Sequence, residues 1–150
     1  MFEAKYYEED FKFAKWLYHV TTFGKLSKIK RFGLVPKSKS SRFDYSDRVY
    51  LFNNSTQDTM FDFIESKADG TTTKAIVLKI DSSVLQADNN YKSGKLKLYI
   101  DHMFDDTNTN VNALFTYNNL KASLLEDDIL VIDVYNGKIA EVEAKKLSDF

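Results

Sequence analysis

A chain of 150 residues with 43% hydrophobic and 29% charged side chains can bury one core and is too short to divide comfortably into two domains. The formal charge of −1 gives no global attraction to nucleic acid, and the absence of cysteine excludes disulfides, thiolate metal sites and a thiol nucleophile. Two histidines, His19 and His102, are too few for a standard zinc set. No apolar run reaches bilayer length and the opening Met1-Phe2-Glu3-Ala4-Lys5 has no signal-peptide character, so a cytoplasmic protein without membrane contact is expected.

Residues 1–13 are charged and aromatic, suiting a short helix or arm. Lys15 to Val20 reads as the first strand, and Thr21 or Thr22 is placed to cap a helix that runs through Lys25, Leu26, Ile29 and Phe32 on one buried face. Gly33 is the expected left-handed stop and Pro36 forbids continuation. Lys37 to Asp47 is Ser-rich, basic and aperiodic, hence a loop. Val49 to Phe52 is a short strand, and Ser55 is placed to cap a helix through Met60, Phe61 and Ile64 that ends near Asp69-Gly70. Lys74 to Ile80, which carries the β-branched Ile76, Val77 and Ile80, is the clearest strand. Lys95 to Ile100 alternates as a half-exposed strand does, Ala113 to Tyr117 is a further strand, and Leu120 to Leu125 is a helical turn. Ile129 to Val134 is a strand that enters a hairpin at Asn136-Gly137, and the tail beyond is open between strand and helix.

Helices fall mostly early and strands mostly late, which favours α+β over alternating βαβ units. One domain spans 1–150, with its core at about 15–134. Two polar-tipped rings stand out: His19 within the apolar Leu17-Tyr18-His19-Val20, and Tyr50 within Val49-Tyr50-Leu51-Phe52. Alternation along a strand can aim such a ring into a cleft while its neighbours fill the core, so a shared pocket is expected. Between Lys25 and Arg48 lie Lys28, Lys30, Arg31, Lys37, Lys39 and Arg42, which suit a phosphate-bearing ligand and equally a solvated helix face. Asp81 and Asp133 close strands and suit turn caps, and Glu126-Asp127-Asp128 suits a hydrated turn.

The run from Leu17 to Asn54 resembles the first half of ADP-ribosyltransferase-like domains, whose relatives include DNA-modifying toxins, RNA 2′-phosphotransferases and poly-ADP-ribose polymerases. There a first strand carries His then Thr or Ser, a helix ends in Gly-Leu-x-Pro (here Gly33-Leu34-Val35-Pro36), and a later strand reads Val-Tyr-Leu (here Val49-Tyr50-Leu51). The remainder resembles the second half of small domains of this kind found in phage genomes. The resemblance implies two small packed β-sheets and NAD as substrate, with His19 on a ribose hydroxyl, Thr21 shaping the strand end, Tyr50 stacking on nicotinamide, and the basic loop containing Arg42, with Arg48 beside the strand, near the pyrophosphate or the acceptor. It further implies transfer of ADP-ribose to a nucleic-acid or protein acceptor. The family glutamate at the start of the penultimate core strand falls on Asn112 or Ala113 here, and the best substitute carboxylate is Asp101. Two alternatives stand beside this: 2′-phosphotransferase chemistry on RNA, and a catalytically silent nucleotide-binding or interaction module.

Overall fold

The computed structural model describes residues 13–36, 47–53, 57–68, 73–101 and 113–150. Among these, seven strands form one sheet: β1 (Trp16–Thr22), β2 (Val49–Asn53), β3 (Thr73–Asp81), β4 (Tyr99–Ile100), β5 (Ala113–Thr116), β6 (Asp128–Tyr135) and β7 (Lys138–Lys146). Their order is β4-β5-β2-β1-β3-β6-β7, and every pairing is antiparallel. The class is α+β as expected. The two packed sheets are replaced by one continuous sheet, because β1 pairs β2 on one edge and β3 on the other.

Both faces of the middle of the sheet are covered, which is why β3 buries four successive residues, Ala75 to Leu78, instead of alternating. On one face Leu17, Leu51, Ile76, Leu78 and Leu114 meet α1 (Leu26–Phe32) through Leu26 and Ile29, and α3 (Ser82–Ala87) through Leu85. On the other face Val20, Ala75, Val77, Ile132 and Val134 meet α2 (Gln57–Lys67) through Met60 and Ile64. The chain thus folds by laying one apolar helix stripe on each side of strands rich in β-branched residues.

Several local expectations change once the packing is present. Thr22 holds the cap position ahead of a 3-10 turn at Phe23–Lys25 with no side-chain cap bond, while Thr21 remains in β1 and is wholly buried. Phe32 is 58% exposed and lies against the Arg31 guanidinium at 5.0 Å, so α1 buries only Leu26 and Ile29. Ser55 lies outside the described residues. Leu96 and Leu98 are buried although only Tyr99–Ile100 of the expected strand pairs, so the alternation there reports burial and not a ladder. α3 and α4 (Asn89–Lys92) were not expected; Asp81 and Asp88 start them by accepting the N–H groups of Ser83 at 2.9 Å and Asn90 at 2.8 Å. The open tail is strand β7, returned by a turn in which Asn136 (φ 53°) and Gly137 (φ 78°) are both left-handed.

Gly33 ends α1 with φ 79° and donates to the Ile29 carbonyl at 2.8 Å. A Cβ there would lie 2.1 Å from the Leu120 carbonyl oxygen, because Leu34 and Leu120 bond to each other across this point. Gly33→Ala is expected to cost roughly 2–3 kcal/mol, in the upper part of the single-substitution range, by adding backbone strain to a backbone clash. Urea unfolding measures it; a loss under about 0.5 kcal/mol, the scale of ordinary surface substitutions, contradicts this account of the α1 stop.

Candidate functional site

β1 pairs β3 along its whole length, from Trp16 with Asp81 to Thr22 with Ala75, but pairs β2 only at Leu17 with Asn53 and Tyr18 with Phe52. From His19 onward the β1–β2 ladder stops. At that point His19 Nδ1 lies 2.7 Å from the Tyr50 carbonyl oxygen. A carbonyl only accepts, so Nδ1–H donates and the imidazole takes the place of a backbone donor across the split. His19 is 6% exposed, and Thr21, two residues on and on the same side, is fully buried. The ring is therefore locked by the sheet that carries it.

The register also sets which way each ring points. Cross-strand partners share a face and successive residues alternate. His19 lies with Leu17 and Leu51 on the α1 face, while Tyr50 lies with Tyr18, Phe52 and Phe115 on the α2 face. The shared cleft expected from alternation therefore becomes two environments joined through Tyr50. Its carbonyl meets His19 within the sheet, and its phenol emerges on the far side.

There the Tyr50 hydroxyl donates to Asp101 Oδ2 at 2.6 Å, and Arg48 Nη1 lies 3.4 Å from the same hydroxyl. Burial chiefly, and the Asp101 carboxylate next, push the Tyr50 phenol above the ordinary tyrosine value. Asp101 follows β4, and its N–H donates to the Ala113 carbonyl at 3.0 Å, so the substitute carboxylate sits beside the start of β5. Ala113 itself is buried. Arg48 grips Asp47 with two bonds, Nε to Oδ1 at 2.8 Å and Nη2 to Oδ2 at 2.9 Å, and its side-chain hydrogen bond holds the Asp47 carboxyl below the usual range.

Of the expected site residues, His19 and Asp101 each bond Tyr50, the first at its backbone carbonyl and the second at its phenol. Thr21 is adjacent to His19 in the wall of the core, and Arg42 and Asn112 lie outside the described residues, as does His102. Arg48, set by the resemblance beside the strand and near the pyrophosphate or the acceptor, stands over the Phe115 and Tyr117 rings, contacts that no spacing in the sequence signals. The trio Glu126-Asp127-Asp128 helps to close the tail: Asp127 accepts from Ser148 N at 2.8 Å, and Asp128 pairs with Lys146. Asp133, Glu141 and Glu143 bring ligand atoms within 4.8 Å of one another, with Lys74 3.8 Å from Asp133 and Lys145 3.2 Å from Glu143.

The chain matches no family model and no curated protein sequence. No helix among the described residues is long and apolar enough to cross a membrane.

Two outcomes follow from this geometry. His19→Ala removes the imidazole's bond to the Tyr50 carbonyl together with the packing of a buried ring, and is expected to cost about 1–3 kcal/mol, the usual range for a disruptive single substitution; chemical denaturation reads it. The neutral Tyr50 phenol is favoured by folding, so the unfolded chain releases that proton first as pH rises past about 10. Stability is expected to fall as pH climbs through and above that value, and Tyr50→Phe removes part of the slope. Tyr18, also raised by burial, leaves a remainder. Identical alkaline slopes in the native chain and the Phe variant would refute the assignment to Tyr50.

Proposed function

We propose that this chain binds NAD or an ADP-ribose-like nucleotide beside the split between β1 and β2, and transfers ADP-ribose to a nucleic-acid or protein acceptor. The observation that carries the reading is the linkage of His19, Tyr50 and Asp101, three positions picked out by the resemblance or by the search for a substitute carboxylate. Its further support is the neighbourhood of the three motifs: β1 with His19, α1 closing at Gly33-Leu34, and β2 with Val49-Tyr50-Leu51 beside β1. Loss of nicotinamide breaks the glycosidic C–N bond, with the electron pair leaving on nitrogen and positive charge growing on the ribose. A carboxylate near that carbon lowers the barrier, as in glycoside hydrolysis. Asp101 is the candidate for that group, and the phenol bonded to it fixes its orientation. His19 is the residue that the resemblance sets on a ribose hydroxyl.

A second reading is a nucleotide-binding or interaction module without turnover. It is favoured by the opposed faces of His19 and Tyr50, and by the Tyr50 ring being packed on Phe115 at 5.4 Å.

Nicotinamide release from NAD by the purified chain tests both, alongside His19→Gln, Asp101→Asn and Ala113→Glu variants whose folding is checked by circular dichroism. Turnover that falls by about a hundredfold or more in Asp101→Asn, the scale of a lost electrostatic stabiliser, supports the transferase. NAD binding without release, with release appearing only in Ala113→Glu, supports the silent module. A native chain that neither binds nor cleaves NAD removes the nucleotide reading.

A further inference from the structure

β7 is an edge of the sheet, and its bonds to β6 show which of its backbone groups point outward. Leu147 N–H donates to the Asp127 carbonyl at 2.6 Å, a bond that flanks the pair Asp128–Lys146 and leaves that pair without bonds of its own. Such pairs alternate along an antiparallel ladder, so Leu130–Ala144 and Ile132–Val142 are of the same kind. The N–H and C=O groups of Val142, Ala144 and Lys146 therefore point away from β6. Carboxylates hold both ends of this edge. Ile139 N–H donates to Glu65 Oε2 of α2 at 2.9 Å, and Lys146 N–H donates to Asp149 Oδ2 of the following turn at 3.1 Å. Between them, the outward groups of Val142 and Ala144 have no partner among the described residues.

The side chains along the edge are acidic first, at Glu141 and Glu143, and basic after, at Lys145 and Lys146. An antiparallel copy reverses that order. Outward residues must bond outward residues, so the centre of such a pairing falls on a residue and not between two. Centred on Ala144, Glu143 faces the partner's Lys145, Lys145 faces the partner's Glu143, and Val142 faces the partner's Lys146. Centred on Val142, Glu141 would face the partner's Glu143. Centred on Glu143 or on Lys145, that residue would face its own copy, and like charges directly opposite are destabilising. The local charge favours the same register. Asp133, Glu141 and Glu143 bring ligand atoms within 4.8 Å of one another, with Lys74 and Lys145 beside them, so a cation from a partner meets a surplus carboxylate. Lysines on an edge ordinarily keep other strands away; here their order admits a reversed copy of the same strand.

We propose that β7 is a self-pairing edge: a second copy of this chain adds antiparallel through its own β7 with Ala144 facing Ala144, and Asp149 is the stop that competes for Lys146. The pairing joins two seven-stranded sheets into one and ends short of Ile139, where Glu65 holds the strand. β4 and β5, which flank Asp101, lie at the opposite side of the sheet, so the pairing is independent of any nucleotide bound near them.

Sedimentation velocity over a wide range of protein concentration tests this, with folding checked by circular dichroism. Asp149→Ala is expected to dimerise at least about tenfold more tightly than the native chain, the equivalent of one competing hydrogen bond to a charged group. Adding Ala144→Pro should abolish the dimer without breaking a β6–β7 bond, since the N–H it removes points outward. Glu143→Lys and Lys145→Glu each set like charges opposite one another, so neither variant alone is expected to dimerise, whereas their equimolar mixture is. This mixture also serves if Ala144→Pro loses its fold. A folded Asp149→Ala chain that stays monomeric or dimerises no better than the native one overturns the proposal. So does a dimer that survives Ala144→Pro, a mixture that associates no better than its components, or an open series of larger oligomers.

Discussion

Where β1 and β2 part, the half-buried Tyr50 carbonyl on β2 takes a hydrogen bond from a side chain of β1. Buried carbonyls are nearly always satisfied, because an unmet one in a dry interior costs more than an ordinary hydrogen bond is worth. The His19 imidazole meets that demand by donating to Tyr50 across the split. Two features follow from this substitution. β1 can stay paired with β3 to Thr22 while leaving β2, so a continuous sheet tolerates an internal parting. The ring is held in one orientation by a partner that cannot donate, so Nδ1 carries the hydrogen.

Tyr50 then connects the two sides of the sheet. Its carbonyl lies in the plane with His19, and its side chain continues outward to Asp101 and the ring cluster beside Arg48. Its ring is packed against Phe115. The pleat also limits the chemistry. A small ligand cannot lie flat against both rings at once; one that engages His19 and Asp101 together must reach across the parting of the strands.

The strands and helix stops were largely legible in the chain. The β-branched run at Lys74 to Ile80, the Asn136-Gly137 turn and the glycine after Phe32 each carry a local cause that packing did not override. Phe32 and the fragment near Lys95 were misread for a shared reason. Helix spacing marks a face without saying how much of it is covered, and alternation marks burial without saying that a neighbour exists. Leu96 and Leu98 are buried with no ladder, while Phe32 is on the expected face and in solvent.

His19, Tyr50 and Asp101 could be chosen from the sequence because their types carry chemistry at positions where apolar residues are the norm. Their relation to one another could not. Whether two side chains on neighbouring strands share a face depends on register, and a shift of one residue exchanges the faces. Register is decided by the packing of Leu17, Leu51 and Leu78 under α1 and of Val20 and Val77 under α2, contacts between segments far apart in the chain. The amino-acid order by itself determined the class, most strand positions and the polar groups available. Only the tertiary structure decided that His19 meets the backbone of Tyr50, that the phenol meets Asp101, and that Arg48 stands among rings, because each depends on strand pairing that no local signal encodes.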